Sequence, residues 1–130
     1  MKNVIRELRA LVAEYSIKFN AIHDSEFSNK PLPHKWSKKE VVGHLIDWAQ
    51  NNLRRFIVAQ YEPQPPKIVY DQDFRVKANG YQQMKKEDVI ALWKLVNDVS
   101  AMYQELCLKV ITQRKVILAR QRYNCIHFNG

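Results

Sequence analysis

The segment Lys35-Trp36-Ser37-Lys38-Lys39-Glu40-Val41-Val42-Gly43-His44-Leu45-Ile46-Asp47 dictates a helix start, and prolines on both sides limit where that helix can lie. Ser37 stands at the N-cap and Glu40 three residues on. The two can exchange side-chain and backbone hydrogen bonds in a capping box. Trp36 precedes the cap and Val41 sits at the fourth helical position, the spacing of a hydrophobic staple. Pro31 and Pro33 place a loop over residues 23–35. Pro63, Pro65 and Pro66 end the helix near Gln60, because a proline lacks the amide that continues the ladder. Its apolar stripe reads Val42, Leu45, Ala49, Leu53 and Phe56, widened by Ile46.

Two further long helices follow from periodicity. Over 4–22, Val4, Leu8, Leu11, Tyr15, Phe19 and Ile22 recur at spacings of three and four. Over 86–110, Val89, Trp93, Val96, Ser100, Tyr103, Cys107 and Val110 do the same. There Ile90, Leu92, Leu95, Val99, Met102 and Leu106 widen the apolar surface past one face, so this helix is expected to be the most buried. The long connection 61–84 carries Tyr70, Phe74 and Val76 as candidate anchors, with a short helix near Asp71–Ala78 closed by Gly80. Residues 112–130 fit a short helix or a strand. These elements predict an all-α fold: a single domain over 1–130, an up-down-type helical bundle with a shortened or atypical C-terminal element.

The chain has 130 residues, enough to bury a core as one domain. No run approaches the roughly 18 apolar residues of a membrane helix, and charge enters within Met1–Glu7, so the expectation is a cytoplasmic protein with no membrane partner. Cys107 and Cys125 make neither a disulfide framework nor a C-x-x-C motif. Cys107 reads as a small buried hydrophobe and Cys125 as an exposed thiol near the end. The net charge of +8 is uneven. Lys109, Arg114, Lys115, Arg120 and Arg122 stand in an acid-free stretch, with Tyr123 and Phe128 nearby. Such a tract can meet phosphate, yet few aromatics accompany it and no helix-turn-helix pattern is present. Nucleic acid is therefore the least favoured partner.

The chemistry-bearing candidate is His44. On a helical wheel it lies off the apolar stripe, between Val41 and Trp48 and beside Asn51 and Arg55. Asp47 lies further round, with Asn51 and Arg54. Glu40 or Asp47, one turn away, can orient a rim imidazole, which suits it to ligate a metal or move a proton. Other motifs are missing: no H-x-x-x-H or H-E-x-x-H pair, no nucleophile elbow, no glycine-rich phosphate loop, no E-x-x-H ligand pairs.

Lys35-Trp36-Ser37, Glu40, Gly43-His44-Leu45-Ile46-Asp47, Asn51-Asn52, Arg55-Phe56 and Gln60 resemble the second helix of the DinB-like superfamily. Tyr70-Asp71, Tyr81, Leu92-Trp93 and Asn97 extend the likeness over residues 30–100. The resemblance implies a four-helix bundle, often a homodimer, and a divalent metal (nickel, zinc, iron or manganese) held by three histidines. It also implies kinship to metal-dependent transferases or isomerases acting with small-molecule thiols. His44 matches the ligand of the H-L-x-D segment. The terminal H-x-x-x-H pair is not present, and His127 is the one histidine near it, so the implied metal site is incomplete: His44 and His127. The rival expectation is a degenerate, non-catalytic member serving dimerisation or interaction.

Overall fold

The computed structural model describes residues 2–58, 60–64, 69 and 71–113, with the backbone alone over 110–113. Five α-helices follow in order: α1 Lys2–Ala21, α2 Asp24–Ser28, α3 Lys38–Val58, α4 Gln72–Asn79 and α5 Lys86–Gln113. A 3₁₀ turn, Tyr81–Gln83, joins α4 to α5. No strand occurs among the described residues, and the all-α expectation holds.

The capping box forms as its residues dictate. Ser37 Oγ accepts from the Glu40 amide at 3.1 Å, and the Ser37 amide donates to Glu40 Oε2 at 2.9 Å. Asp71 caps α4 by accepting from the Phe74 amide at 3.0 Å, and Gly80 closes it at φ 67°, a left-handed conformation that glycine adopts without a Cβ penalty. The short α2 falls in the segment expected to be loop. His23 Nδ1 caps it from 3.2 Å, and Phe27 anchors it, fully buried. One apolar residue in five gives no periodicity to read.

α5 is the common partner of the two other long helices. α1 crosses it antiparallel, with Arg9 paired to Glu105 at 3.1 Å and Phe19 edge-on to Trp93 at 5.0 Å. Lys86 Nζ donates to the carbonyls of Asn20 and Ile22, placing a cation on the C-terminal end of α1. α3 runs parallel to α5. Lys39 at its start donates to the Met84 carbonyl at 2.7 Å, just before α5 begins, so the connection 59–85 returns the chain to the end where α3 started. The core joins Val12, Phe27, Val42, Ile46, Ala49, Val76, Tyr81, Val89, Ile90, Trp93 and Val96.

Three expectations about faces need correction. In α1 the fully buried positions are Ile5, Val12 and Ser16, flanking the expected stripe, of which Leu8, Phe19 and Ile22 do pack against the core. Val4, Leu11 and Tyr15 stay exposed, because α1 packs on α5. In α3, Leu45 is 38% exposed while Ile46 takes the core position. α5 is not covered on every side: Leu95, Met102 and Leu106 are 62%, 43% and 50% exposed. In the connection, Val76 is the anchor that packs, Phe74 points to solvent, and Tyr70 lies outside the described residues.

Candidate functional site

The second side of α3 holds a dense polar cluster among the described residues. Gly43 leaves room on that side for an aromatic ring. A Cβ there would stand 2.2 Å from Tyr81 Cδ2 and 2.3 Å from its Cγ, so no side chain larger than hydrogen fits while the ring stays. Tyr81 therefore lies flat against the helix, and its hydroxyl donates to Asp47 Oδ1 at 2.6 Å, one turn along. Asn79 Nδ2 donates to the same oxygen at 2.7 Å, and Arg75 Nε lies 3.5 Å from it. The Arg75 guanidinium also reaches Asn51 Oδ1 at 3.4 Å.

Asp47 is thus 0% exposed, not a residue of the polar rim. The wheel places it further round from the apolar stripe than His44, beside Asn51 and Arg54. The structure buries it because α4 and the 3₁₀ turn pack over that flank. A carboxylate taken out of water needs hydrogen bonds and an opposite charge, and Tyr81, Asn79 and Arg75 supply them. Burial first, and the hydrogen bond to Asp47 second, push the Tyr81 phenol well above its ordinary range. It is a fixed donor at physiological pH.

His44 lies one turn before Asp47 on the same flank and is partly buried. Its ring packs on Trp36, centroids 5.1 Å apart and planes inclined by 41°. The neighbours expected from the wheel are not the ones that hold it: Trp48 and Val41 are exposed, and Trp36 reaches past the cap to cover the imidazole. Neither carboxylate orients the ring directly. Glu40 is engaged by the Ser37 amide and by Lys30 at 3.0 Å, and Asp47 Oδ1 by the cluster above.

Three buried side-chain atoms among the described residues have no hydrogen-bond partner: His44 Nδ1, Asp47 Oδ2 and Asn51 Nδ2. All three belong to one strip of α3, at i, i+3 and i+7. Buried polar atoms without partners are uncommon in folded proteins, and each calls for a physical account.

Of the two histidines expected as metal ligands, His44 is on this strip and His127 lies outside the described residues. Among the described residues no three His, Cys, Asp or Glu side chains gather as a ligand set. His44 is therefore the one donor of the expected pair placed here; of the nearby Asp47 carboxylate, Oδ1 is held by Tyr81 and Asn79 and Oδ2 has no partner. Cys107 is buried as expected but is not a free thiol, and Cys125 lies outside the described residues. Of the basic tract, Lys109 is described. It lines a cleft with Lys2, Arg6, Arg9 and Glu105, over Ile5 and Leu108. No described helix is long and apolar enough to cross a membrane.

Sequence reasoning missed Tyr81, Asn79 and Arg75 as partners of Asp47. One signal pointed to them. A glycine inside an otherwise unbroken helical pattern marks a close approach by another group, and Gly43 stands one turn from Asp47. No family model, curated protein or solved structure matches the chain.

Proposed function

We propose that this chain is a DinB-like helical domain that binds a divalent metal through His44. The observation supporting this reading is the unpartnered, buried Nδ1 of an imidazole clamped by Trp36, at the position the H-L-x-D resemblance assigns to a ligand. On the resemblance, His127 would be the second donor, with Asp47 or water completing the shell. Together they are a reduced version of the three-histidine set, in keeping with a relative of thiol-dependent transferases or isomerases. A divalent ion supplies Lewis acidity and lowers the pKa of a coordinated thiol or water. The chain's own residues have separate tasks. Trp36 packs against the ring, and Tyr81, Asn79 and Arg75 hold Asp47 through its Oδ1, leaving Oδ2 without a partner. Elemental analysis of protein purified without a histidine tag tests the proposal. Bound nickel, zinc, iron or manganese, and a melting shift on adding the ion that His44→Ala abolishes, are expected. Neither metal nor shift would overturn it.

A second reading rests on α5. Leu95, Val99, Met102 and Leu106 recur at four, three and four residues on the side away from the core, and three of them are exposed. That is the seam of a helix pair. It supports a homodimer, catalytic or not. Sedimentation should give a dimer that Met102→Glu with Leu106→Glu converts to a folded monomer. A monomer before mutation removes this reading.

A further inference from the structure

We propose that the cleft between the start of α1 and the last turns of α5 binds an amphipathic anion, an apolar chain ending in one carboxylate or phosphate. The cleft holds about 550 Å³, a volume in the range of small-ligand sites. Ile5 forms its floor and is 3% exposed. Partly buried Leu108 and the methylene stems of the basic side chains make its walls. Lys2, Arg6 and Arg9 recur at i, i+4 and i+7 on α1, so they share one helix face, and Lys109 joins them from α5. At the inner end Arg9 pairs with Glu105 across the two helices at 3.1 Å. Among the described residues, Lys2, Arg6 and Lys109 have no carboxylate within ion-pair distance.

Charge and surface together select the occupant. Cations gathered around a concave apolar surface focus a positive potential there, which draws in an anion. A bare inorganic anion meets the cations and leaves the apolar walls uncovered. A neutral chain covers the walls and leaves three cations without a counter-charge. A molecule carrying both parts satisfies both. Lys2 and Arg9 stand about 10 Å apart along α1 at 1.5 Å per residue, which suits a chain of medium length. Residues 114–130 are a poor match on charge, since they carry Arg114, Lys115, Arg120 and Arg122 and no acid. The cleft is separate from the metal reading. His44 lies in the first half of α3, which begins beside the start of α5, and the cleft lies at the other end of α5.

Calorimetric titration of the full chain with decyl phosphate and with decanoate, both below their micelle concentrations, tests the proposal. One-to-one saturation by either is expected, and the tighter of the two identifies the head group. Decanol and inorganic phosphate, each with half of the required chemistry, should bind at least about tenfold more weakly, the scale of one hydrogen bond to a charged group. Arg6→Glu with Lys109→Glu should lower the affinity by more than that. Lys35→Glu with Lys85→Glu makes the same change in net charge outside the cleft and should leave the affinity nearly unchanged. Should the first pair not fold, Arg6→Gln with Lys109→Gln takes its place. No saturation by either amphiphile, equal binding of decanol or of inorganic phosphate, or equal losses in the two double variants would each overturn the proposal. So would binding to phosphatidylglycerol vesicles without binding to the free amphiphiles, which would mark a membrane-surface contact instead.

Discussion

Replacing Gly43 by alanine separates the local from the tertiary account of α3. Gly43 is interior to a helix of 21 residues, where alanine is favoured over glycine by about 1 kcal/mol. Propensity alone thus predicts a more stable protein. The structure predicts the opposite, because the new methyl carbon would lie 2.2–2.7 Å from three ring carbons of Tyr81. The ring is buried and must move. Overpacking of this kind costs about 1–3 kcal/mol. Moving the ring also withdraws the hydroxyl from a buried carboxylate, about 1.5–3 kcal/mol for a hydrogen bond to a charged group. After subtracting the propensity gain, a net loss of about 3 kcal/mol is expected. Urea unfolding, read as a lower midpoint at constant slope, measures it. The same substitution in a Tyr81→Ala background should reverse sign and stabilise by about 1 kcal/mol, since no ring then opposes the methyl group. A Gly43→Ala protein as stable as its parent would refute the close approach and, with it, the placement of Tyr81 over Asp47.

Tyr81→Phe should cost about 1.5–3 kcal/mol at neutral pH by removing one donor from the Asp47 carboxylate. The phenol is raised in the folded state, so the unfolded chain loses this proton first. Stability should then fall as pH rises above about 10, by about 1.4 kcal/mol per pH unit, and the Phe variant should lack that part of the alkaline decline. Ser37→Ala removes an N-cap acceptor and a buried hydroxyl that donates to Gln82 Oε1 at 2.6 Å. A loss of about 2 kcal/mol in thermal or urea unfolding is expected, against a few tenths for an exposed serine.

The start of α3 was legible to the residue, because a capping box and flanking prolines act locally and need no tertiary partner. The Gly80 stop of α4 was legible for the same reason. What the sequence could not display is which side of each helix a neighbour covers. α1 showed a sound apolar stripe, and its Leu8, Phe19 and Ile22 pack against the core, yet the fully buried positions Ile5, Val12 and Ser16 flank that stripe, because α5 is its main partner. On the wheel Asp47 lies away from the apolar stripe, beside Asn51 and Arg54. Its burial depends on a turn more than thirty residues away, and Gly43 alone hinted at it. His44 was found at the edge of the core as expected, but its cover comes from Trp36, which the staple rule paired with Val41.

The account assigns different work to two residues three apart: Asp47 secures the fold, and His44 meets the ligand. X-ray absorption at the metal edge of the full chain loaded with zinc or nickel tests this most directly. The account predicts imidazole scattering that His44→Ala weakens while leaving the helical content and unfolding midpoint nearly unchanged. Identical spectra before and after that substitution, or a metal that does not stay bound to the unsubstituted chain, would contradict it.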